Sequence, residues 1–131
     1  MATFLHTMLR SSDIERTRPF LEALGFVFSR EHPIVRDGHH EATNHFFNLP
    51  GDTAELEITV NHDGRTYDVG TAYGHVAIGV DDLEATLAAL AGHGIEPERP
   101  PYRVREGGSL LCFVREPAEG YRFELIEKGG R

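Results

Sequence analysis

Residues 6–26 read HTMLRSSDIERTRPFLEALGF, and residues 75–95 read HVAIGVDDLEATLAALAGHGI. Laid on each other at an offset of 69, the two stretches align without a gap. His6/His75, Asp13/Asp82, Glu15/Glu84, Thr17/Thr86, Leu21/Leu90 and Gly25/Gly94 are identical. Each copy opens on a short apolar run, which predicts a strand. Each then places an Asp ahead of an amphipathic stretch and closes on a glycine, which predicts a capped helix. At an offset of 67, Leu56-Glu57-Ile58 falls on Phe123-Glu124-Leu125. The chain reads as an internal duplication.

The remaining elements follow outward from that repeat. In the first copy, strands are predicted at 4–10, 26–28, 46–49 and 56–60, with a polar loop over 30–41 and a turn at Pro50-Gly51-Asp52. In the second, strands are predicted at 73–80, near Ile95, at 109–114 and at 121–127. The fold class is therefore α+β: two tandem βαβββ modules, about 2–60 and 71–128, joined by a polar linker, 61–70, in a single domain over 1–131. A module of this size alone buries only ~60% of the surface its unfolded chain exposes. The two sheets are expected to pair with each other or with a partner chain.

Composition narrows the function classes. The chain has 131 residues and a formal net charge of −8, which argues against a nucleic-acid binder or an electrostatic membrane anchor. No apolar run approaches the ~20 residues of a transmembrane helix, and no secretory signal is expected at the start. The single cysteine, Cys112, excludes an intrachain disulfide and a cysteine-rich zinc site. It reads as a buried apolar thiol in a protein of a reducing compartment, the cytoplasm.

The repeat matters for what it repeats. Each module carries a His on its first strand, His6 or His75, and a Glu on its last, Glu57 or Glu124. A pseudo-two-fold relation between modules would bring two imidazoles and two carboxylates to one centre. A lone strand His is more often structural, and a lone strand Glu usually faces solvent, but matched positions in both copies argue for a shared role. Unpaired, such groups are costly to bury in apolar strands. A divalent metal removes that cost, and two nitrogens with two oxygens suit Ni, Co, Zn, Mn or Fe. The histidines of Gly38–His45 read as part of a solvated loop, with a second metal site as the alternative, and His32, His62 and His93 read as solvated too.

HTMLR (6–10), LGF (24–26), EITVN (57–61), YDVGTAYGHVAIGV (67–80) and GYRFELIE (120–127) resemble glyoxalase I, the lactoylglutathione lyase family of the vicinal oxygen chelate superfamily. GTAYGH (70–75) is the most specific stretch. The resemblance implies paired βαβββ modules in a swapped homodimer. His6 and Glu57 of one chain would meet His75 and Glu124 of the other around one divalent metal per site. Ni²⁺ or Co²⁺ is favoured and Zn²⁺ is the alternative, since the chain is short and has His rather than Gln at the first ligand position. It further implies isomerisation of the methylglyoxal–glutathione hemithioacetal to S-lactoylglutathione, a detoxification that runs through a metal-stabilised enediolate. Glu124 would be the main base and Glu57 its counterpart. Arg10 and Asn61 would hold the glutathione moiety, and Arg103 or, by choice, Arg105 would supply a basic loop contact.

Two departures accompany the resemblance. The family's Asp-Pro-Asp-Gly turn is Glu116-Pro-Ala-Glu-Gly120 here, one residue longer, which puts the register of Glu124 at stake. The family's Phe-Tyr pair on the first helix is Phe20-Leu21, a packing change. Rival readings are an extradiol dioxygenase, a thiol transferase and a non-catalytic sequestering dimer. The fourth ligand Glu57 weighs against the first. Asn61 and the 70–75 run weigh against the second, and the full ligand set against the third.

Overall fold

The computed structural model describes residues 1–128. The chain folds as two compact units, one over Met1–Asp68 and one that begins at Val69. Among the described residues no helix is long and apolar enough to cross a membrane.

The first unit runs β1 (His6–Arg10), α1 (Ile14–Ala23), β2 (Val27–Arg36), β3 (His39–Asn48) and β4 (Glu55–Asn61). Its sheet has the order β1-β4-β3-β2, with β1 parallel to β4 and the other neighbours antiparallel. The Asp13 side chain caps α1 by accepting from the Glu15 N–H at 3.0 Å. After the helix, Gly25 takes φ 104°, a left-handed turn that a side chain resists, and the chain reverses into β2. Phe20, Leu21 and Leu24 of the helix region and Phe47, Leu56 and Ile58 of the sheet form the unit's buried core.

The predicted loop over 30–41 is instead a long β2–β3 hairpin. Its tip is Asp37 (φ 52°) and Gly38 (φ 74°), the two left-handed residues that match a two-residue turn to strand twist. Pro33 lies inside β2 without breaking the sheet, because β2 is the outermost strand of that sheet and an edge tolerates a missing donor.

The second unit runs β5 (Val76–Val80), α2 (Leu83–Ala91), β6 (Leu111–Arg115) and β7 (Arg122–Glu127). Its sheet has the order β5-β7-β6, with β5 parallel to β7. Asp82 caps α2 through the Ala85 N–H at 3.0 Å, as Asp13 caps α1. Leu83, Leu90, Cys112, Val114, Phe123 and Leu125 are its core. The strand predicted near Ile95 is absent among the described residues. A bridge between Tyr102 and Leu111 and a hydrogen bond from the Glu98 N–H to the Phe113 carbonyl at 2.9 Å tie that segment to the sheet without a continuous ladder. Pro97, Pro100 and Pro101 remove the donors a fourth strand would need. The second copy is thus βαββ where the first is βαβββ.

The longer turn before β7 does not displace the strand. The buried Glu116 carboxylate accepts from the Ala118 and Glu119 N–H groups at 2.8 and 2.7 Å and folds the extra residue into a compact loop.

Candidate metal centre

In the first unit the parallel ladder sets Met8 opposite Glu57; in the second it sets Ala77 opposite Glu124. Each carboxylate therefore lies two rungs along from its histidine, in the same register in both copies. His6 Nε2 stands 3.4 Å from Glu57 Oε1, and His75 Nε2 stands 3.3 Å from Glu124 Oε1. His6 is the first residue of β1, whereas His75 lies one residue before β5 rather than in the strand as predicted. The histidine side chains are 42% and 40% exposed and the carboxylates 11% and 17%, so each pair is rooted in its sheet and open at the imidazole.

Strand alternation explains the placement. In β4, Leu56 and Ile58 turn into the core and Glu57 takes the opposite face. In β7, Phe123 and Leu125 do the same around Glu124. A phenyl ring flanks each pair: Phe46 neighbours Glu57 on β3, and Phe113 neighbours Glu124 on β6. Phe46 meets the His6 ring edge to face at 6.1 Å and 84°, and Phe113 meets His75 at 5.1 Å and 84°. Neither ring was singled out from the sequence. The signal was available, because the offset of 67 that carries Glu57 onto Glu124 also carries Phe46 onto Phe113.

Beyond the first pair, Arg10 Nη1 donates to Asn61 Oδ1 at 3.0 Å, and Tyr67 Oη donates to the same oxygen at 3.0 Å. The Asn61 carbonyl is thereby fixed from two sides. Sequence reasoning passed over this contact of Tyr67. Thr59 donates to Asn44 Oδ1 at 2.8 Å on the neighbouring strand. Arg105 lines a cavity of about 370 Å³ with Val104, Gly108, Ser109, Leu111 and Ile126. Ile126 lies two residues beyond Glu124 on β7, on the same face. Arg103 donates to the Gly108 carbonyl at 2.7 Å, so it is tied to its own loop. A side chain at Gly108 would crowd the Arg105 carbonyl at 3.0 Å.

The other histidines are not uniformly solvated. His40 and His62 both contact Thr43 Oγ1, at 3.0 and 2.7 Å, with ring centroids 4.4 Å apart. His32 packs on Phe46 at 5.4 Å, and burial lowers the pKa of His45. Cys112 is buried, and burial pushes its thiol up to about 11, so it is no nucleophile near neutral pH. Tyr73, whose hydroxyl donates to the Arg122 carbonyl at 2.8 Å, is pushed by burial to about 12.

Each unit thus offers one imidazole nitrogen and one carboxylate oxygen, the donor types that borderline divalent ions accept. Among the described residues no group of three or more His, Cys, Asp and Glu side chains is arranged to hold an ion.

The sequence profile of the Glyoxalase/Bleomycin resistance protein/Dioxygenase superfamily matches residues 3–125. The lactoylglutathione lyase of Haemophilus influenzae is 38% identical over 126 residues, covering 94% of this chain and 90% of that protein. The chain belongs to the glyoxalase I family. The lactoylglutathione lyase of Arabidopsis thaliana is 34% identical over 129 residues, 96% of this chain but 44% of that protein. The chain therefore spans less than half the length of this plant relative. Glyoxalase I from Zea mays superimposes with a TM-score of 0.81 at 30% identity, covering 95% of this chain and 44% of the maize chain. The trypanothione-dependent glyoxalase I of Leishmania major gives 0.75 at 30% identity, covering 97% and 87%. For a glyoxalase I family member, the repeated His–Glu pairs are the natural place to look for the divalent ion that the family implies.

Proposed function

We propose that this chain is a metal-dependent lactoylglutathione lyase that converts the methylglyoxal–glutathione hemithioacetal into S-lactoylglutathione. The observation that carries the reading is the repeated His–Glu pair, at 3.4 and 3.3 Å and in one register, in a member of the glyoxalase I family. His6 and Glu57 of one copy, with His75 and Glu124 of a second, hold one divalent ion in a homodimer, Ni²⁺ or Co²⁺ in preference to Zn²⁺. When bound, that ion supplies Lewis-acid stabilisation of the negative charge that develops on the substrate's neighbouring oxygens.

The chain's own groups move the proton. Glu124 takes it from the carbon bearing sulfur and returns it to the adjacent carbon, with no net gain or loss of electrons. Glu57 is its counterpart on the other side of the site. Arg10 presents a guanidinium fork suited to the carboxylates of the thiol's peptide moiety, and Asn61 donates through the amide nitrogen that its fixed carbonyl leaves outward. Arg105 contributes positive charge at the cavity rim. The reaction takes place in the cytoplasm, where such a thiol is kept reduced.

The test is isomerisation of that hemithioacetal by chelator-stripped protein titrated separately with Ni²⁺, Co²⁺ and Zn²⁺. Restoration by nickel or cobalt supports the assignment. Tight metal binding without turnover removes the substrate assignment and leaves the metal centre.

A further inference from the structure

Phe46 contacts the His6 and His32 rings and a guanidinium, and Phe113 contacts the His75 ring and a guanidinium. The Arg30 Cζ lies 4.0 Å from the Phe46 centroid, and the Arg122 Cζ lies 3.9 Å from that of Phe113. Each guanidinium is also bound to a carboxylate. Arg30 Nη1 donates to both oxygens of Glu55, at 2.9 and 2.8 Å. Arg122 donates through Nε and Nη2 to Glu98, at 2.9 and 2.8 Å. Arg115 joins Glu98 from β6 at 3.0 Å.

The two arrangements are built from exchanged residues. Two positions before Glu57 on β4 stands Glu55; two positions before Glu124 on β7 stands Arg122. Beside Phe46 on β2 is Arg30, its ladder partner. Beside Phe113 is Glu98, whose N–H donates to the Phe113 carbonyl at 2.9 Å. The cation comes from the outer strand in the first unit and from the ligand-bearing strand in the second, yet it reaches the same place. What both units keep is a carboxylate-bound guanidinium about 4 Å from the phenyl centroid, not a residue type at either position. A simple surface ion pair requires no such stacking.

We propose that Arg30 and Arg122 are positioning residues for the metal centre: acting through Phe46 and Phe113, they hold the His6 and His75 rings in the orientation that brings Nε2 to Glu57 and Glu124. A guanidinium on one face of the phenyl fixes its plane, and the fixed plane braces the imidazole edge to face. Glu55 offsets the Arg30 charge, and Glu98, shared between Arg115 and Arg122, offsets part of theirs, which lessens the repulsion of a divalent cation. The proposal rests on the metal centre described above.

The test combines two readouts on chelator-stripped protein. The first is Ni²⁺ affinity, by competition with a chromophoric chelator, with the visible spectrum of the Co²⁺ form. The second is the histidine ring NMR of the metal-free protein. Arg30→Ala and Arg122→Ala are each expected to weaken Ni²⁺ binding by about tenfold, the usual loss when a residue supporting a ligand is removed, and to shift the Co²⁺ bands. Arg30→Lys keeps the charge but not the planar stack, so it serves should Arg30→Ala fold poorly; it is expected to weaken binding in the same sense. Arg30→Glu alone is expected to weaken binding. The exchange Arg30→Glu/Glu55→Arg copies the second unit's arrangement into the first and is expected to restore wild-type binding.

If the charges acted only through their field, Arg30→Glu would tighten binding instead, and that result overturns the proposal. Wild-type affinity in Arg30→Ala or in a folded Arg30→Lys overturns it as well. Should the wild type take up no Ni²⁺, the metal centre fails and the ring spectra decide the positioning role separately. A single His6 ring conformer in the wild type and several in Arg30→Ala support it; identical ring spectra overturn it.

Discussion

Glu124→Gln separates the proton-transfer role proposed for this carboxylate from its structural one. The carboxamide has nearly the same volume and can keep a contact to His75 Nε2, now 3.3 Å from Oε1. Phe123 and Leu125, 1% and 0% exposed, anchor the strand on either side, and the ladder partners Ala77 and Phe113 hold its backbone. The fold is therefore expected to lose no more than ~0.5 kcal/mol, the range of a substitution off the core. Under the proposed mechanism the chemistry loses its base. General-base catalysis is worth ~10²–10⁴-fold, which is about 3–5 kcal/mol of barrier at 1.36 kcal/mol per tenfold. The assay is kcat for thioester formation from the hemithioacetal, taken at a plateau of added Ni²⁺ so that weaker metal binding does not masquerade as slower chemistry. A plateau kcat within about tenfold of wild type refutes Glu124 as the base. Glu57→Gln, with the same geometry in the other unit, is the internal comparison. It is expected to weaken metal binding while keeping a larger share of kcat, and the reverse outcome exchanges the two roles.

Three further outcomes are expected. Asn61→Ala removes the acceptor shared by Arg10 and Tyr67 at 3.0 Å. It should raise KM by about tenfold, the loss of one charge-assisted hydrogen bond, with little change in kcat, measured by steady-state kinetics. Cys112 is raised from 9.0 to about 11 by burial. The folded state keeps its proton where the unfolded state releases it, so this group's stabilisation is full below pH 9 and lost as pH rises through about 11. Denaturant unfolding across that range should show stability falling with pH, and Cys112→Ala should remove this contribution. Phe47→Ala empties a fully buried site in the first unit and is expected to cost ~3–5 kcal/mol, read as a lowered melting temperature of the metal-free protein.

Much of this protein was legible in the chain because its decisive signals are local. Asp13 and Asp82 cap helices through N–H groups two and three residues on, and Gly25 and Gly94 reverse the chain with positive φ. Period-two alternation around Glu57 and Glu124 separated core from site face, because strand geometry dictates it residue by residue. The repeat also paired each histidine with its glutamate without any knowledge of the sheets.

The rest depended on partners distant in sequence. Residues 30–41 are too polar to announce a strand, and what makes them one is the β2–β3 ladder, entered through Asp37 and Gly38. Ile95 carries an apolar signal, yet the prolines after it interrupt the ladder, so that only scattered N–H groups, Glu98 and Tyr102, bond to β6. Phe46 against His6 and the exchanged Arg30–Glu55 and Arg122–Glu98 pairs are contacts whose members lie far apart in the chain, and Tyr67 reaches Asn61 only because the chain turns back after β4. Periodicity along one strand determines which way a side chain faces. Only the register between strands decides what it meets there, and register is a property of the assembled sheet.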